Sequence, residues 1–197
     1  QKQVKCFGQM SLEFVVFHGT SNFIIPPKKE NNLDRSKLQC NPRPMLPYIV
    51  THAKAPVPIV LSIPHCGTAF PDEIKDDYHP HLAAAPDDTD WFVDQLYDFA
   101  AEMGITTIRA HYSRWVIDLN RPPDSQPLYS DGRIITGLCP LTDFHGNSIY
   151  QKNEPDEAEV ACRLATYYFP YHRKVQELLD ETKATFGQAL LWDAHSI

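Results

Sequence analysis

Two short apolar segments, one near the middle of the chain and one close to its end, most constrain the fold. They read PIVLSIPH at 58–65 and QALLWDA at 188–194. Apolar runs of about four to eight residues without polar alternation are typical of strands buried on both faces of a sheet. Helical periodicity over 87–104 and 156–185 separates them. This alternation predicts an α/β fold, with a mixed central sheet flanked by helices.

The two predicted helices carry different boundary signals. The first begins among acidic residues that can cap it and ends at Gly104. Its apolar face would comprise Phe92, Leu96, Phe99, Ala100 and Met103. The second helix contains Pro170, which should kink it. Two more strands are predicted at 105–112 and 113–119.

The first 44 residues differ in composition from the rest of the chain. Residues 1–44 become rich in Pro and Asn toward their end and show no sustained period typical of a strand or a helix. We therefore expect a poorly ordered extension here. The remaining residues, 45–197, are enough for one domain with a sizeable core.

Net charge and cysteine usage limit the partners and the compartment. A net charge of −7 leaves no broad basic surface, which argues against a nucleic acid partner. No apolar run approaches the roughly 20 residues that a membrane span needs. The five cysteines are odd in number and never spaced as CxxC. This pattern favours reduced thiols in a cytoplasmic protein.

Each of the two apolar strands leads to a histidine. His65 ends the first strand and His195 follows the second. Ligands of α/β sheets bind outside the carboxyl ends of the strands, so both imidazoles can reach one crevice. Neutral imidazole is a common zinc ligand, although a single histidine after a strand is more often a hydrogen-bonded structural residue.

Carboxylates near these histidines offer further ligands. Asp193 lies two residues before His195, so on an extended strand it can orient that imidazole. The alternative is a buried aspartate bonded to backbone amides. Asp88 and Asp90 open the first predicted helix, where N-capping requires only one of them. Either aspartate can complete a zinc site of two histidines and one carboxylate.

The segment SRWVIDLNRPP holds a third group of candidates. Arg114, Asn120 and Arg121 lie where a predicted strand passes into a proline-rich loop. Two guanidiniums and an amide can clamp a carboxylate through bidentate hydrogen bonds. In the alternative, Asp118 and Arg121 form only a surface ion pair, which contributes little.

Five segments follow one another along the chain in a recognisable order. They are SIPHCGT (62–68), DTDWFVDQLYDFA (88–100), SRWVIDLNRPPD (113–124), GLCP (137–140) and LLWDAHSI (190–197). Together they resemble the motifs of the N-formylglutamate amidohydrolases, also called N-formylglutamate deformylases. The resemblance covers roughly 45–197, and residues 1–44 have no counterpart in it.

The resemblance implies a fold and a metal. The family is similar to the zinc carboxypeptidases and aspartoacylase, which implies a zinc carboxypeptidase-like (phosphorylase/hydrolase-like) fold and zinc as the cofactor. His65 and His195 would then be zinc ligands. The relatives have a glutamate three residues after the first histidine, where this chain has Thr68. The carboxylate ligand is therefore expected to be Asp90, with Asp88 as the second choice.

The resemblance also implies a reaction. Arg114, Asn120 and Arg121 would bind the substrate carboxylate. The reaction would be zinc-dependent hydrolysis of N-formyl-L-glutamate to formate and L-glutamate, a step of histidine degradation. The relatives continue beyond the DAHS motif and carry their general base there. This chain is therefore expected to be truncated, to lack the base, and to leave its last strand with a free edge.

Three alternatives remain open, and the sequence does not indicate the oligomeric state. One is hydrolysis of another N-acyl amino acid, since the clamp recognises the carboxylate but not the acyl group. A second is an inactive fragment that binds zinc or acidic amino acids. A third alternative is a cysteine hydrolase with Cys66 as nucleophile. Cys66 neighbours His65, but adjacent residues of a strand point to opposite faces.

Overall fold

The computed structural model describes residues 2–4, 12–17, 45–123 and 137–196 of the chain. In this part of the chain, six strands form one sheet. They are β1 (Lys2–Val4), β2 (Leu12–Phe17), β3 (Tyr48–Thr51), β4 (Ile59–Ile63), β5 (Thr106–Ala110) and β6 (Ala189–Ala194). Their order is β1-β2-β6-β4-β5-β3.

Strand directions make the sheet mixed. β4 lies between β5 and β6 and pairs with both in parallel. The three outer strands run antiparallel to their neighbours. The predicted α/β class and mixed sheet are confirmed. The segments predicted as strands at 58–65, 105–112 and 188–194 contain β4, β5 and β6.

Helices and helical turns connect these strands. The helices are α1 (Pro80–Ala83), α2 (Val93–Leu96), α3 (Glu157–Arg163) and α4 (Phe169–Phe186). Turns of 3-10 helix occur at Lys75–Asp77 and Asp98–Ala101, and a π turn, Leu164–Tyr168, joins α3 to α4. The Asp156 carboxylate accepts from the Glu159 N–H at 2.8 Å and so caps α3. Gly187, with φ 76°, ends α4 in the left-handed conformation.

Both faces of the sheet are covered. Neighbouring residues of β4 point to opposite faces, so Val60 belongs to one core cluster and Leu61 to the other. The first cluster contains residues of α4 such as Val175, and the second contains Val93 from α2. The central strands are thus buried from both sides, which agrees with their uninterrupted apolar sequence.

The long second helix follows the prediction with one modification. α3, the π turn and α4 form a continuous run over 157–186. Pro170 has no N–H to bond a carbonyl of the preceding turn. The π turn ends at Tyr168, close to Pro170. The break in the regular α-helical hydrogen bonds therefore lies next to the residue that has no N–H donor.

The predicted helix at 87–104 is wrong in extent and in orientation. Only α2 and a 3-10 turn form there, and Phe92 adopts a left-handed conformation, with φ 63°, just before α2. Val93, Tyr97 and Ala100 face the core. Four of the five residues predicted to form the apolar face are exposed: Phe92, Leu96, Phe99 and Met103. Apolar residues occupy several sides of this segment, so periodicity alone selects the wrong face.

The predicted strand at 113–119 is also wrong. This segment forms turns, although Trp115, Val116 and Ile117 are buried. Its Val116 N–H bonds the carbonyl of Ser113 within the same segment. Apolar residues therefore reflect burial here and not strand pairing.

Two strands lie within the segment 1–44, for which the sequence predicts little order. β2 pairs antiparallel with β6 along six residues, from Leu12 opposite Ala194 to Phe17 opposite Ala189. The edge of β6 that was expected to be free is therefore covered in the structure. That 1–44 lies outside the family domain stays a prediction.

The cysteines and the helices bear on the expected environment. Cys66 and Cys139 are free thiols, whereas Cys162 is disulfide-bonded, so the prediction that all five cysteines are reduced is wrong for Cys162. Every helix in the described part of the chain is too short or too polar to cross a bilayer.

Candidate metal centre

The carboxyl ends of β4 and β6 place His65 and His195 side by side. The two strands are parallel, with Ser62 opposite Asp193, so the residues that follow them emerge at the same edge of the sheet. The two imidazole centroids lie 4.8 Å apart, and both side chains are buried. The two histidines thus share one crevice, as their positions in the sequence predict.

Asp90 completes a triad with the two histidines. Its Oδ2 lies 3.2 Å from Nδ1 of His195 and 3.8 Å from Nδ1 of His65. Its backbone N–H donates to the carbonyl of His65 at 3.0 Å, and the Ser196 hydroxyl donates to its Oδ1 at 2.9 Å. One potential ligand atom from each triad residue lies within 4.8 Å of the others. The triad is therefore compact and tied together by its own backbone.

Two carboxylates surround His195. Nδ1 faces Asp90, and Nε2 lies 3.1 Å from Oδ2 of Asp193. Burial alone would lower the pKa of His195, but the charges of Asp193 and Asp90 outweigh it and raise this pKa to about 10. Asp193 thus bonds the imidazole, the first of the two alternatives that the sequence left open, and Nδ1 faces Asp90.

His65 is oriented by Asp118, which the sequence offered only as one member of an alternative surface ion pair. Its Nε2 donates to Oδ1 of Asp118 at 2.7 Å, and both side chains are buried. This bond places the proton on Nε2 and leaves the Nδ1 lone pair on the side of Asp90. Burial lowers the pKa of His65 and the charge of Asp118 opposes that shift, so the ring is neutral near pH 7.

Asp118 also binds the predicted carboxylate clamp. Its Oδ2 accepts from Nη2 of Arg114 at 2.6 Å and lies 3.5 Å from Nε of Arg121. Its Oδ1 accepts the backbone N–H of Asn120 at 2.9 Å. Burial disfavours the charge of Asp118, but His65 and Arg114 outweigh burial and hold its pKa below the usual range. The interpretation of Asp118 as part of a surface ion pair is wrong, because the residue is fully buried.

A signal for Asp118 was present in the sequence. It stands inside the apolar run WVIDL, where an aspartate is rarely buried unless it is paired. An aspartate in such a run predicts a partnered buried charge. The sequence could not show that the partner is His65, which lies 53 residues earlier in the chain.

Asp88, the second choice for the carboxylate ligand, lies apart from the triad. Its Oδ2 is 3.5 Å from Nε of Arg114, and its backbone carbonyl accepts from Nη1 of the same arginine at 3.4 Å. Burial raises the pKa of Asp88 to about 6, although Arg114 opposes that shift. Of the two aspartates, the structure brings Asp90 to the histidines.

The clamp residues converge beside the triad. Nδ2 of Asn120 lies 3.5 Å from Nε2 of His195. The side chains of Arg114 and Arg121 are each 14% exposed, and both contact Asp118, which bonds His65. A guanidinium has five N–H donors, and contact with Asp118 does not use all of them. The three predicted clamp residues are thus linked to the triad, Asn120 by its contact with His195 and the two arginines through Asp118.

Gly67 and Cys66 follow His65 in the loop after β4. A Cβ at Gly67 would collide with the carbonyl of Tyr112, so only glycine allows this close approach. Sγ of Cys66 lies 3.5 Å from the carbonyl of Ile63, and burial raises the pKa of the thiol to about 12. A thiol in this state is a poor nucleophile near neutral pH, which argues against the cysteine hydrolase alternative.

The donor set fits a zinc ion. Zinc in hydrolytic sites is commonly held by two imidazoles and one carboxylate, with a position open to water. Imidazole ligands usually donate their second N–H to a carboxylate or a carbonyl. Here Asp118 accepts from His65 and Asp193 accepts from His195. Both features expected of such a site are present among the described residues.

Comparison with known proteins gives the context of this site. The family model for N-formylglutamate amidohydrolase matches residues 57–197. The N-formylglutamate deformylase of Pseudomonas aeruginosa is 47% identical over 150 residues, which are 76% of this chain and 55% of the relative. That of Pseudomonas putida is 42% identical over 142 residues, or 72% of this chain and 52% of the relative. The chain thus spans about half the length of the relatives it matches.

Solved structures support the same fold. The N-formylglutamate amidohydrolase of Ralstonia eutropha JMP134 superposes with a TM-score of 0.61 and 26% identity, over 73% of this chain and 55% of that one. A gene product of Agrobacterium tumefaciens superposes with a TM-score of 0.59 and 22% identity, over 71% of this chain and 52% of that one. The family model covers most of the chain, and the motifs it matches contain the triad. The chain therefore belongs to the N-formylglutamate amidohydrolase family.

Proposed function

We propose that this chain forms the metal centre and the substrate-carboxylate clamp of a zinc-dependent amidohydrolase that cleaves N-formyl-L-glutamate to formate and L-glutamate. One observation supports the proposal most strongly. The buried carboxylate of Asp118 bonds both His65 of the triad and Arg114 of the clamp. A single residue thus joins the place where a metal would bind to the place where a carboxylate would bind.

His65, Asp90 and His195 would hold the zinc ion. When bound, zinc supplies a Lewis acid that polarises the formyl carbonyl and makes water more acidic. Asp118 keeps the His65 proton on Nε2, so Nδ1 would be the ligand atom of His65. Asp193 accepts the Nε2 N–H of His195, and Nδ1 of His195 would become a ligand atom when zinc displaces the proton that it shares with Asp90.

Arg114, Asn120 and Arg121 would bind and orient the substrate. N-formyl-L-glutamate carries two carboxylates, and guanidiniums recognise carboxylates through paired hydrogen bonds. Asp118 fixes Arg114 and Arg121 from one side, which reduces the entropy lost when they bind a ligand. Asn120 lies next to His195 and therefore lines the path between the clamp and the metal.

The broader setting is proposed from this reaction. We place the reaction in histidine degradation and the protein in the cytoplasm, with 45–197 as the family domain and 1–44 outside it.

Formate release from N-formyl-L-glutamate tests the proposal. Purified protein supplied with zinc should release formate over many turnovers, and protein stripped with a chelator should not. The His65→Ala variant should lose both zinc and activity, because it removes a ligand. Folded, zinc-loaded protein that releases no formate would contradict the proposed activity for this chain and favour the interpretation as a binding fragment.

A substrate panel separates the proposed reaction from its nearest alternative. N-formyl-, N-acetyl- and N-succinyl-L-glutamate share the carboxylates that the clamp would bind and differ only in the acyl group. A formyl-specific enzyme should prefer the first by at least about tenfold in kcat/KM, since that ratio measures differential transition-state binding. Equal rates on all three would indicate a general hydrolase of N-acyl amino acids.

A further inference from the structure

The loop that carries Asn120 and Arg121 is held by one helical run. Its backbone forms turns, so its carbonyls have no strand neighbour to bond. Nε2 of His172 donates to the carbonyl of Leu119 at 2.9 Å. The hydroxyl of Tyr168 donates to the carbonyl of Arg121 at 2.8 Å. The two carbonyls on either side of Asn120 are thus bonded from the same helix.

These two donors support each other. Tyr168 is the last residue of the π turn, and His172 follows four residues later in α4, so both lie on the same helix face. Their ring centroids are 4.2 Å apart. Tyr168 is only 4% exposed. Ring contact and burial restrict the rotamers of both side chains, which makes the two-point attachment rigid.

A third bond extends the attachment toward Asp118. Nη1 of Arg163 donates to the carbonyl of Val116 at 3.1 Å. Arg163 is fully buried and also bonds the hydroxyls of Tyr78 and Tyr150. The segment that contains Asp118 and the clamp is therefore bonded to this helical run at three carbonyls.

The π turn makes this arrangement possible. Arg163 and Tyr168 are five residues apart, and a regular α-helix would set two such residues about 140° apart around its axis. In a π turn, residues five apart are directly hydrogen-bonded, so the angle between them is smaller than in a regular α-helix. Leu164–Tyr168 is the stretch with this geometry. The extra residue therefore turns Tyr168 and His172 toward the same segment that Arg163 binds.

We propose that Tyr168 and His172 are positioning residues for the carboxylate clamp, because their bonds to the carbonyls of Arg121 and Leu119 fix where Asn120 and Arg121 point. This inference rests on the proposed function. It adds that substrate affinity depends on two side chains that do not touch the substrate. It also assigns the π turn a role in setting that affinity.

Binding of L-glutamate to the zinc-loaded chain, measured by calorimetry, tests this inference without requiring turnover. Tyr168→Phe keeps the ring and removes the donor, and it should weaken glutamate binding roughly fivefold, as expected for one lost hydrogen bond. His172→Leu should weaken binding by a similar or larger factor. His172→Gln can still donate from its amide and should stay within about twofold of the unmodified chain.

A matched control separates positioning from general stability. The Thr182 hydroxyl donates to the carbonyl of Leu178 at 2.7 Å, in the same helix but away from the clamp. Thr182→Val removes a comparable bond and should leave glutamate affinity unchanged. Zinc content should stay the same in every variant, because neither Tyr168 nor His172 bonds the triad. In a variant with turnover, KM should rise while kcat changes little.

The outcomes distinguish this inference from the proposed function. If the unmodified chain binds glutamate and Tyr168→Phe binds it equally well, Tyr168 does not position the clamp. The proposal that the clamp binds the carboxylate would not be contradicted by this result. The positioning role is also wrong if His172→Gln is as impaired as His172→Leu, or if Thr182→Val is impaired too. A zinc-loaded, unmodified chain that does not bind glutamate would overturn the clamp and this inference with it.

Discussion

Nε2 of His65 and Oδ1 of Asp118 form a 2.7 Å hydrogen bond between two buried side chains. The bond joins the residue that follows β4 to the loop that carries Asn120 and Arg121, the proposed clamp. It sets the tautomer of His65 and holds a negative charge beside Arg114 and Arg121. Asp118 therefore connects the proposed metal centre to the proposed clamp, and changes at this residue should affect both.

The Asp118→Asn variant should bind zinc roughly 10- to 100-fold more weakly, the usual cost of losing a carboxylate that orients a metal-bound imidazole. The amide is similar in size but cannot balance the charge of Arg114. Competition with a chromophoric chelator measures the change. Asp72→Asn is a suitable control, because Asp72 pairs with Lys75 on the surface and is 90% exposed. Equal zinc affinities of the two variants would contradict the role of Asp118.

The two aspartates that sequence analysis left as alternatives should respond differently. Asp90→Asn should reduce zinc affinity about 100-fold or more, since losing a ligand should cost at least as much as losing its hydrogen-bonding partner. Asp88→Asn should retain full zinc content, because Asp88 pairs with Arg114 and not with the histidines. Metal analysis after dialysis measures both variants. Zinc loss in the Asp88 variant alone would reverse the ligand assignment.

Replacement of Cys66 by serine should leave any hydrolytic activity within about twofold of the unmodified chain. Burial keeps the thiol protonated, so it cannot supply a thiolate near pH 7. The formate assay measures this directly, and iodoacetamide should likewise have little effect on the rate. Complete loss of activity in a folded, zinc-loaded Cys66→Ser variant would revive the cysteine hydrolase alternative.

His172 should make the fold less stable in mild acid. Burial lowers the pKa of His172 to about 4, from an ordinary value of 6.5, although the Leu119 carbonyl and Asp193 oppose the shift. Between these two pH values the unfolded chain binds a proton that the folded chain does not, so stability falls as pH decreases. At pH 4, His172 should lower the free energy of unfolding by up to about 3 kcal/mol.

Urea unfolding at several pH values between 7 and 4 measures this contribution. Aspartates and glutamates also titrate in this range. The informative quantity is therefore the difference in the free energy of unfolding between the unmodified chain and His172→Gln. The glutamine keeps a donor for Leu119 and has no titratable group. The unmodified chain should lose more stability than the variant on acidification. If the free energies of unfolding of the two proteins fall in parallel as pH decreases, His172 does not cause the loss of stability in acid.

The sequence predicted the elements whose signal is local. Uninterrupted apolar runs identified β4 and β6, because strands buried on both faces need apolar residues at every position. The order of strands and helices gave the α/β class. Histidines at the two strand ends indicated the site, because parallel strands end at the same edge of a sheet. Each of these inferences needed only neighbouring residues and one general rule.

Only the tertiary structure decided which side chains face one another. Of Asp88 and Asp90, two residues apart in the chain, Asp90 lies beside the histidines, and its N–H bonds the carbonyl of His65. Asp118 became a buried link because residues 113–119 form turns and not the predicted strand. The bonds from α4 and the π turn to the clamp loop join residues about 50 positions apart. Such contacts depend on how elements pack, and local periodicity carries no information about packing partners.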